Sequence, residues 1–327
     1  MKRRIIRIIL ALLLAGALLV LAAAAASRVV YGRSLRATAY EWVLRRRYTS
    51  TRTAEEEIAR LEKKRAAGEK PYELPESLRL RVPVAESDAN GTQVFTLNPD
   101  AAGPTVVYLH GGAFINPFNA YQWRFMDRLA SETGARVVAP AYHLAPWADY
   151  RRAYDDLLAL WETLPDNPVI LMGDSAGGGL ALGLAEALVK AGTRLPDRLV
   201  LFSPWVDLSM DNPDIPAYAE VDPILRLELV RVHGRYWAGN GDTHHWQVSP
   251  LYGDMAGLPP TDIYCGAREL LYPDIVRLSE GLTRAGVETR LTVGRGLNHD
   301  YPLMPLPEAD RAVREVVEVV RELGIRN

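Results

Sequence analysis

The sequence predicts a mostly parallel eight-stranded α/β sheet, with helices on both faces and a helical cap folded over one end. Three observations predict it. From about residue 80 onward, short apolar runs alternate with helical patterns, the signature of a parallel sheet covered on both sides. One stretch, "VILMGDSAGGGLALGLAEAL", passes from a continuous apolar run to helical spacing across a knot of glycines. Residues 204–248, rich in proline, aspartate and tryptophan, break the rhythm. They are read as an insertion over the carboxyl ends of the strands, where open α/β sheets bind ligands.

The elements follow in order. Lys2, Arg3, Arg4 and Arg7 precede an uncharged run from Ile8 to Ala26. That run is longer than the apolar core of a signal peptide and just long enough to span a bilayer, so residues 1–26 read as an uncleaved membrane anchor, with a removed export signal as the alternative. Arginines on both flanks leave its orientation open. Residues 27–80 read as helices and polar connections, including the charged "TAEEEIARLEKKRAAGEK", and form the N-terminal part of the cap. Residues 81–327 form the α/β domain. Its candidate strands are Leu80 to Val84, Gln93 to Leu97, Thr105 to Leu109, Arg136 to Ala139, Val169 to Met172, Leu199 to Phe202, Ile263 to Cys265 and Thr289 to Val293. Helical spacing falls at Tyr121 to Thr133, Tyr150 to Thr163, Gly179 to Ala191, Asp274 to Ala285 and Glu308 to Leu323.

Composition narrows the function classes. The chain has 327 residues, 48% of them apolar, and a formal charge of −2, which argues against a nucleic-acid partner. The one cysteine, Cys265, excludes an intramolecular disulfide and any multi-cysteine metal site; it ends an apolar run and reads as a small buried hydrophobe.

Ser175 sits at the tip of the strand-to-helix turn, within Gly173-Asp174-Ser175-Ala176-Gly177. A serine there lifts its hydroxyl above the sheet, while the helix that follows offers unpaired N–H groups and the positive end of its dipole. An acyl-transfer nucleophile needs that arrangement, and the stretch fits the G-x-S-x-G elbow. Serine also needs a base, and the base an orienting acid. His299, in "GRGLNHDYPL" after the last predicted strand, is the candidate base; His233, His244 and His245 read as packing or surface residues. "IYCGARELLYPD" supplies two acids. Glu269 lies in a loop and is preferred, while Asp274 is the alternative and reads as the cap of the next helix. "VVYLHGGAF" ends a strand in His110-Gly111-Gly112, so the N–H groups of Gly111, Gly112 and Ala176 are the candidate oxyanion hole.

With these residues assembled, the chain resembles the hormone-sensitive-lipase-like esterases of the α/β-hydrolase superfamily from Thr105 to the end. "HGGAF" is similar to the family's HGGG motif, with Ala113 in place of the third glycine, and "GDSAGG" matches its nucleophile motif. "YHLAP", "SPWVDLS" and "SPLYGDMAGLPP" are similar to further family segments. The family's acid is usually an aspartate followed by Pro-Leu; here Glu269-Leu270-Leu271 stands instead, and His299-Asp300-Tyr301 replaces the common HGF ending. The resemblance implies a serine carboxylic-ester hydrolase acting through an acyl-enzyme on small to medium acyl esters, with no metal or organic cofactor. Its substrate surface is expected from the N-terminal helices and the insertion, where Trp205, Tyr218 and Trp237 are candidate lining or core residues. A membrane-associated deacetylase of an amide, sterol or glycan is the rival enzyme reading, and a non-catalytic ligand-binding protein on the same fold is the other.

Overall fold

A computed structural model describes residues 2–48 and 52–325; Met1 of the apolar segment and residues 49–51 of the N-terminal helical region lie outside them. Three helices come first: α1 (Lys2–Tyr31), α2 (Leu35–Arg47) and α3 (Ala54–Ala66). The apolar helix α1 runs to Tyr31 rather than stopping at residue 26, because Ser27, Arg28, Val29 and Val30 continue it without a breaker until Gly32, whose φ of 66° ends it. Ser34 caps α2, and a reciprocal box between Thr53 and Glu56 caps α3.

The sheet follows as β1 (Val84–Ala89), β2 (Thr92–Leu97), β3 (Thr105–Leu109), α4 (Ala120–Thr133), β4 (Arg136–Ala141), α5 (Tyr150–Glu162), β5 (Val169–Asp174), α6 (Ser175–Ala191) and β6 (Arg198–Phe202). The insertion carries α7 (Pro216–Ala219) and α8 (Leu227–Trp237), after which come β7 (Thr261–Gly266), α9 (Tyr272–Arg284), β8 (Thr289–Gly294) and α10 (Pro307–Ile325). The eight strands are ordered β1-β2-β4-β3-β5-β6-β7-β8, antiparallel at β1–β2 and β2–β4 and parallel from there on.

One predicted strand is displaced. Leu80 and Val82 do not begin β1; they pack as loop residues against the core, and the edge strand is the polar "VAESDA" beyond them. An edge strand needs little apolar content, and Asn90-Gly91, both at positive φ, turn it tightly back into β2.

Strand side chains alternate between two apolar layers. Val107, Leu109, Val169 and Leu171 pack with α5, α6, α9 and the insertion, whereas Val106, Tyr108, Ile170 and Met172 pack with α4 and α10. Helix α6 lies against β5 and β6 and is buried along most of its length. It begins at Ser175, earlier than its apolar spacing predicts, because the glycines of its first turn carry no side chain to show a period. They are required there: a Cβ on Gly177 would run into the Leu109 carbonyl, and one on Gly179 into that of Trp205.

Candidate active site

Strand β5 ends and α6 begins at Ser175, whose φ of 51° is the strained turn that lifts its hydroxyl above the sheet. His299 lies in the loop between β8 and α10, with Nε2 2.9 Å from Ser175 Oγ. Glu269, fully buried in the loop after β7, places Oε2 3.4 Å from Nδ1 of the same imidazole. Residues from three loops are thus assembled at the carboxyl end of the parallel sheet.

Asp274 is elsewhere. It lies inside the first turn of α9, whose N-cap is Leu271, and its Oδ1 accepts from Asn212 at 2.7 Å and Arg277 at 2.9 Å. It neither caps the helix nor reaches His299, so the alternative acid is set aside. Buried His233 meets Glu57 at 2.8 Å, and half-exposed His244 lies near Asp211 and Asp242. Cys265 is buried in β7, and burial pushes its thiol well up, which keeps it protonated.

The oxyanion assignment needs one correction. The Gly111 N–H donates to Asp174 Oδ1 at 2.9 Å and is not available to a substrate. The same carboxylate accepts from the Tyr108 hydroxyl at 2.6 Å and the Gln122 amide at 2.8 Å, so it fastens the glycine loop to the elbow. Gly112 and Ala113, at φ 133° and 55°, carry the next N–H groups of the loop, and no described residue accepts from either. Ala176, in the first turn of α6, has no intrahelical acceptor. Behind the loop, His110 stacks on Tyr142 with centroids 4.4 Å apart. Burial lowers its pKa to about 4, so it packs as an uncharged ring.

Sequence reasoning missed three supports. The Ser203 hydroxyl donates to Glu269 Oε2 at 2.7 Å and accepts the Asp300 N–H at 3.0 Å, joining the acid loop to the histidine loop. Asp222, in the insertion, accepts the Leu270 N–H at 2.7 Å, beside Glu269. Asp300 itself places Oδ2 3.3 Å from His299 Nε2. Burial alone would lower the His299 pKa, but the negative charges of Asp300, Glu269 and Asp222 outweigh it and push it up to about 10. Trp205 and Trp237 are core: both are buried and stack on Phe114 of the glycine loop, Trp237 with centroids 4.1 Å apart.

The sequence pattern of an α/β-hydrolase-fold family matches residues 106–303, more than half of the chain. The chain belongs to that family. This hydrolase is 34% identical to an acetyl-hydrolase of Streptomyces hygroscopicus over 64% of its own length and 73% of the relative's. It is 30% identical to the esterase LipU of Mycobacterium tuberculosis, over 76% and 89% of the two chains. Among solved structures, an esterase of the bacterial hormone-sensitive lipase family superposes with a TM-score of 0.74 at 26% identity, covering 89% of this hydrolase and 99% of that chain. The hydrolase is therefore a hormone-sensitive-lipase-like, carboxylesterase- or lipase-type enzyme.

Proposed function

We propose that Ser175, His299 and Glu269 carry out carboxylic-ester hydrolysis through an acyl-enzyme. The observation that carries this reading is the 2.9 Å contact between Ser175 Oγ and His299 Nε2, with Glu269 on the imidazole's other nitrogen. As Ser175 Oγ bonds to the ester carbonyl carbon, its proton passes to Nε2. The carbonyl oxygen, now negative, accepts from the N–H groups of Gly112, Ala113 and Ala176. Nε2 then protonates the departing alcohol. Water repeats the sequence against the acyl-enzyme, and the carboxylic acid leaves. Glu269 holds the ring orientation and stabilises the imidazolium, and Ser203 and Asp222 hold Glu269 and its loop in place.

Small to medium acyl esters are the substrate class. The relative named as an acetyl-hydrolase supports the small end of this range.

Helix α1 supports attachment to a membrane. Its mean hydropathy reaches 2.9, its apolar side chains are exposed, and its 30 residues extend about 45 Å at 1.5 Å per residue, enough to cross a bilayer. Its end is fixed to the domain: Ser27 bonds to the Arg33 and Ser34 carbonyls, and Arg33 reaches the Gly296 carbonyl, in the loop that carries His299. That anchorage favours one second reading, deacetylation of a membrane-associated amide, sterol or glycan.

The test is turnover of p-nitrophenyl esters of graded chain length beside acetylated sterol, glycan and amide substrates. Wild-type turnover of short esters that disappears in Ser175→Ala is expected. Preference for the acetylated amide, sterol or glycan would select the second reading, and turnover surviving in Ser175→Ala would overturn both.

A further inference from the structure

Four carboxylates surround the His299 imidazole, and they are not equivalent. Asp174 accepts from three neutral donors: Tyr108, Gln122 and the Gly111 N–H. Asp222 accepts the backbone N–H groups of Ile224, Leu225 and Leu270. Glu269 has the Ser203 hydroxyl as well as the imidazole. Asp300 has no such neutral donor: Oδ1 is buried without a hydrogen-bond partner among the described residues, and Oδ2 faces His299 Nε2 at 3.3 Å. Its backbone sits in the left-handed region, φ 54° and ψ 32°, which aspartate tolerates better than most residues.

Nε2 is the atom that must accept the Ser175 proton. A carboxylate 3.3 Å from the lone pair of a neutral ring nitrogen is repelled, and the contact becomes attractive only with a proton between the two. Because the imidazole is buried, that difference is larger than it would be in bulk water.

We propose that Asp300 is a second carboxylate acting on the catalytic imidazole, holding a proton on Nε2 in competition with Ser175, so that hydrolysis begins only as this shared proton leaves. The proposal rests on the roles given above to Ser175 and His299. While Nε2 carries the proton, the imidazolium is paired with Asp300 and cannot take another from serine. Release of one proton to solvent leaves a neutral ring. The Ser175 proton then moves to Nε2 as Oγ bonds to the carbonyl carbon, and the departing alcohol removes it; water then gives a proton to Nε2 as it bonds to the acyl carbon, that proton passes to Ser175 Oγ as the carboxylic acid leaves, and the cycle closes. Asp174, Asp222, Glu269 and the Tyr108 hydroxyl also face this pair; burial pushes the carboxyls of Asp174, Asp222 and Asp300 up, and the neighbouring carboxylates push Asp300 up further, so the cluster as a whole favours keeping a proton between Asp300 and Nε2. The raised pKa of His299 agrees with the geometry. Sign follows directly: the active form is the deprotonated ring, so activity climbs toward alkaline pH and is suppressed below it.

The test is the pH dependence of kcat/KM for p-nitrophenyl acetate, measured from mildly acidic to alkaline pH on the full chain in detergent. Wild type is compared with Asp300→Asn and Asp300→Gly, the latter suited to the positive φ. The rate at which a fluorophosphonate labels Ser175 is followed across the same range. Both variants are expected to move the acid limb of both profiles down by about 1–3 pH units, the scale of one neighbouring charge. Below the wild-type limb they become at least roughly tenfold faster than wild type. Limbs that stay in place, or a loss of activity that is uniform across pH in both variants, would overturn the proposal and leave Asp300 a packing residue. Failure of wild-type Ser175 to react at any pH would instead bring down the underlying assignment, and this inference with it.

Discussion

Strand β7 carries a buried carboxylate near each end, and the two have opposite companions. Near its amino end, Asp262 is clasped by Arg198 of β6 at 2.6 Å and Arg290 of β8 at 2.8 Å. Beyond its carboxyl end, Glu269 meets a serine hydroxyl and an imidazole. Both side chains are fully buried. An acid between two guanidinium groups has partners of fixed charge, because arginine does not release its proton, and so it serves to hold neighbouring strands together. An acid beside a histidine has a partner that gains and loses its charge as protons move, so its pairing can strengthen during a proton transfer. The companion decides between architecture and chemistry.

The comparison can be broken at either end. The largest effect is expected from removing what Glu269 serves: Ser175→Ala and His299→Ala should each lower kcat for a short-chain ester by roughly 10⁴-fold or more, with the melting temperature kept. Glu269→Gln should cost roughly 10²- to 10⁴-fold in kcat, because a neutral amide no longer supports the imidazolium. Asp262→Asn should do the reverse. Its kcat per folded molecule should stay near wild type, while urea unfolding shows a loss of about 1–3 kcal/mol, because partly exposed Arg198 and half-exposed Arg290 lose the buried counter-charge they share. If Asp262→Asn abolished turnover in a folded sample, the division between the two ends of β7 would fail. A similarly small catalytic effect is expected from Asp274→Asn, whose Asn212 and Arg277 contacts lie away from the imidazole. Within a fewfold of wild-type kcat is expected, and a loss matching that of Glu269→Gln would return Asp274 to the site.

Local chemistry explains what the sequence disclosed. Fully buried strands such as Val169–Asp174 read as apolar runs, and Ser175 was legible because its glycines have no role except a tight turn with close packing. The hormone-sensitive-lipase-like resemblance read from HGGAF and GDSAGG was matched by the family and by the solved esterase. The edge strand escaped because solvent makes no demand for apolar residues there. Gly111 was misassigned because the carboxylate that occupies its N–H lies 63 residues away. Ser203, 66 residues from Glu269, and Asp222, 48 from Leu270, support the acid only after folding. No local period announces such contacts; the sheet order creates them.

The most direct test of the central claim, that Ser175 is the nucleophile of an ester hydrolase, is peptide mass spectrometry after reaction with a fluorophosphonate, run beside ester turnover. A single modification on Ser175 is expected, rising in step with the loss of turnover and absent from His299→Ala. Modification elsewhere in the chain, or turnover that continues after Ser175 is fully modified, would contradict it.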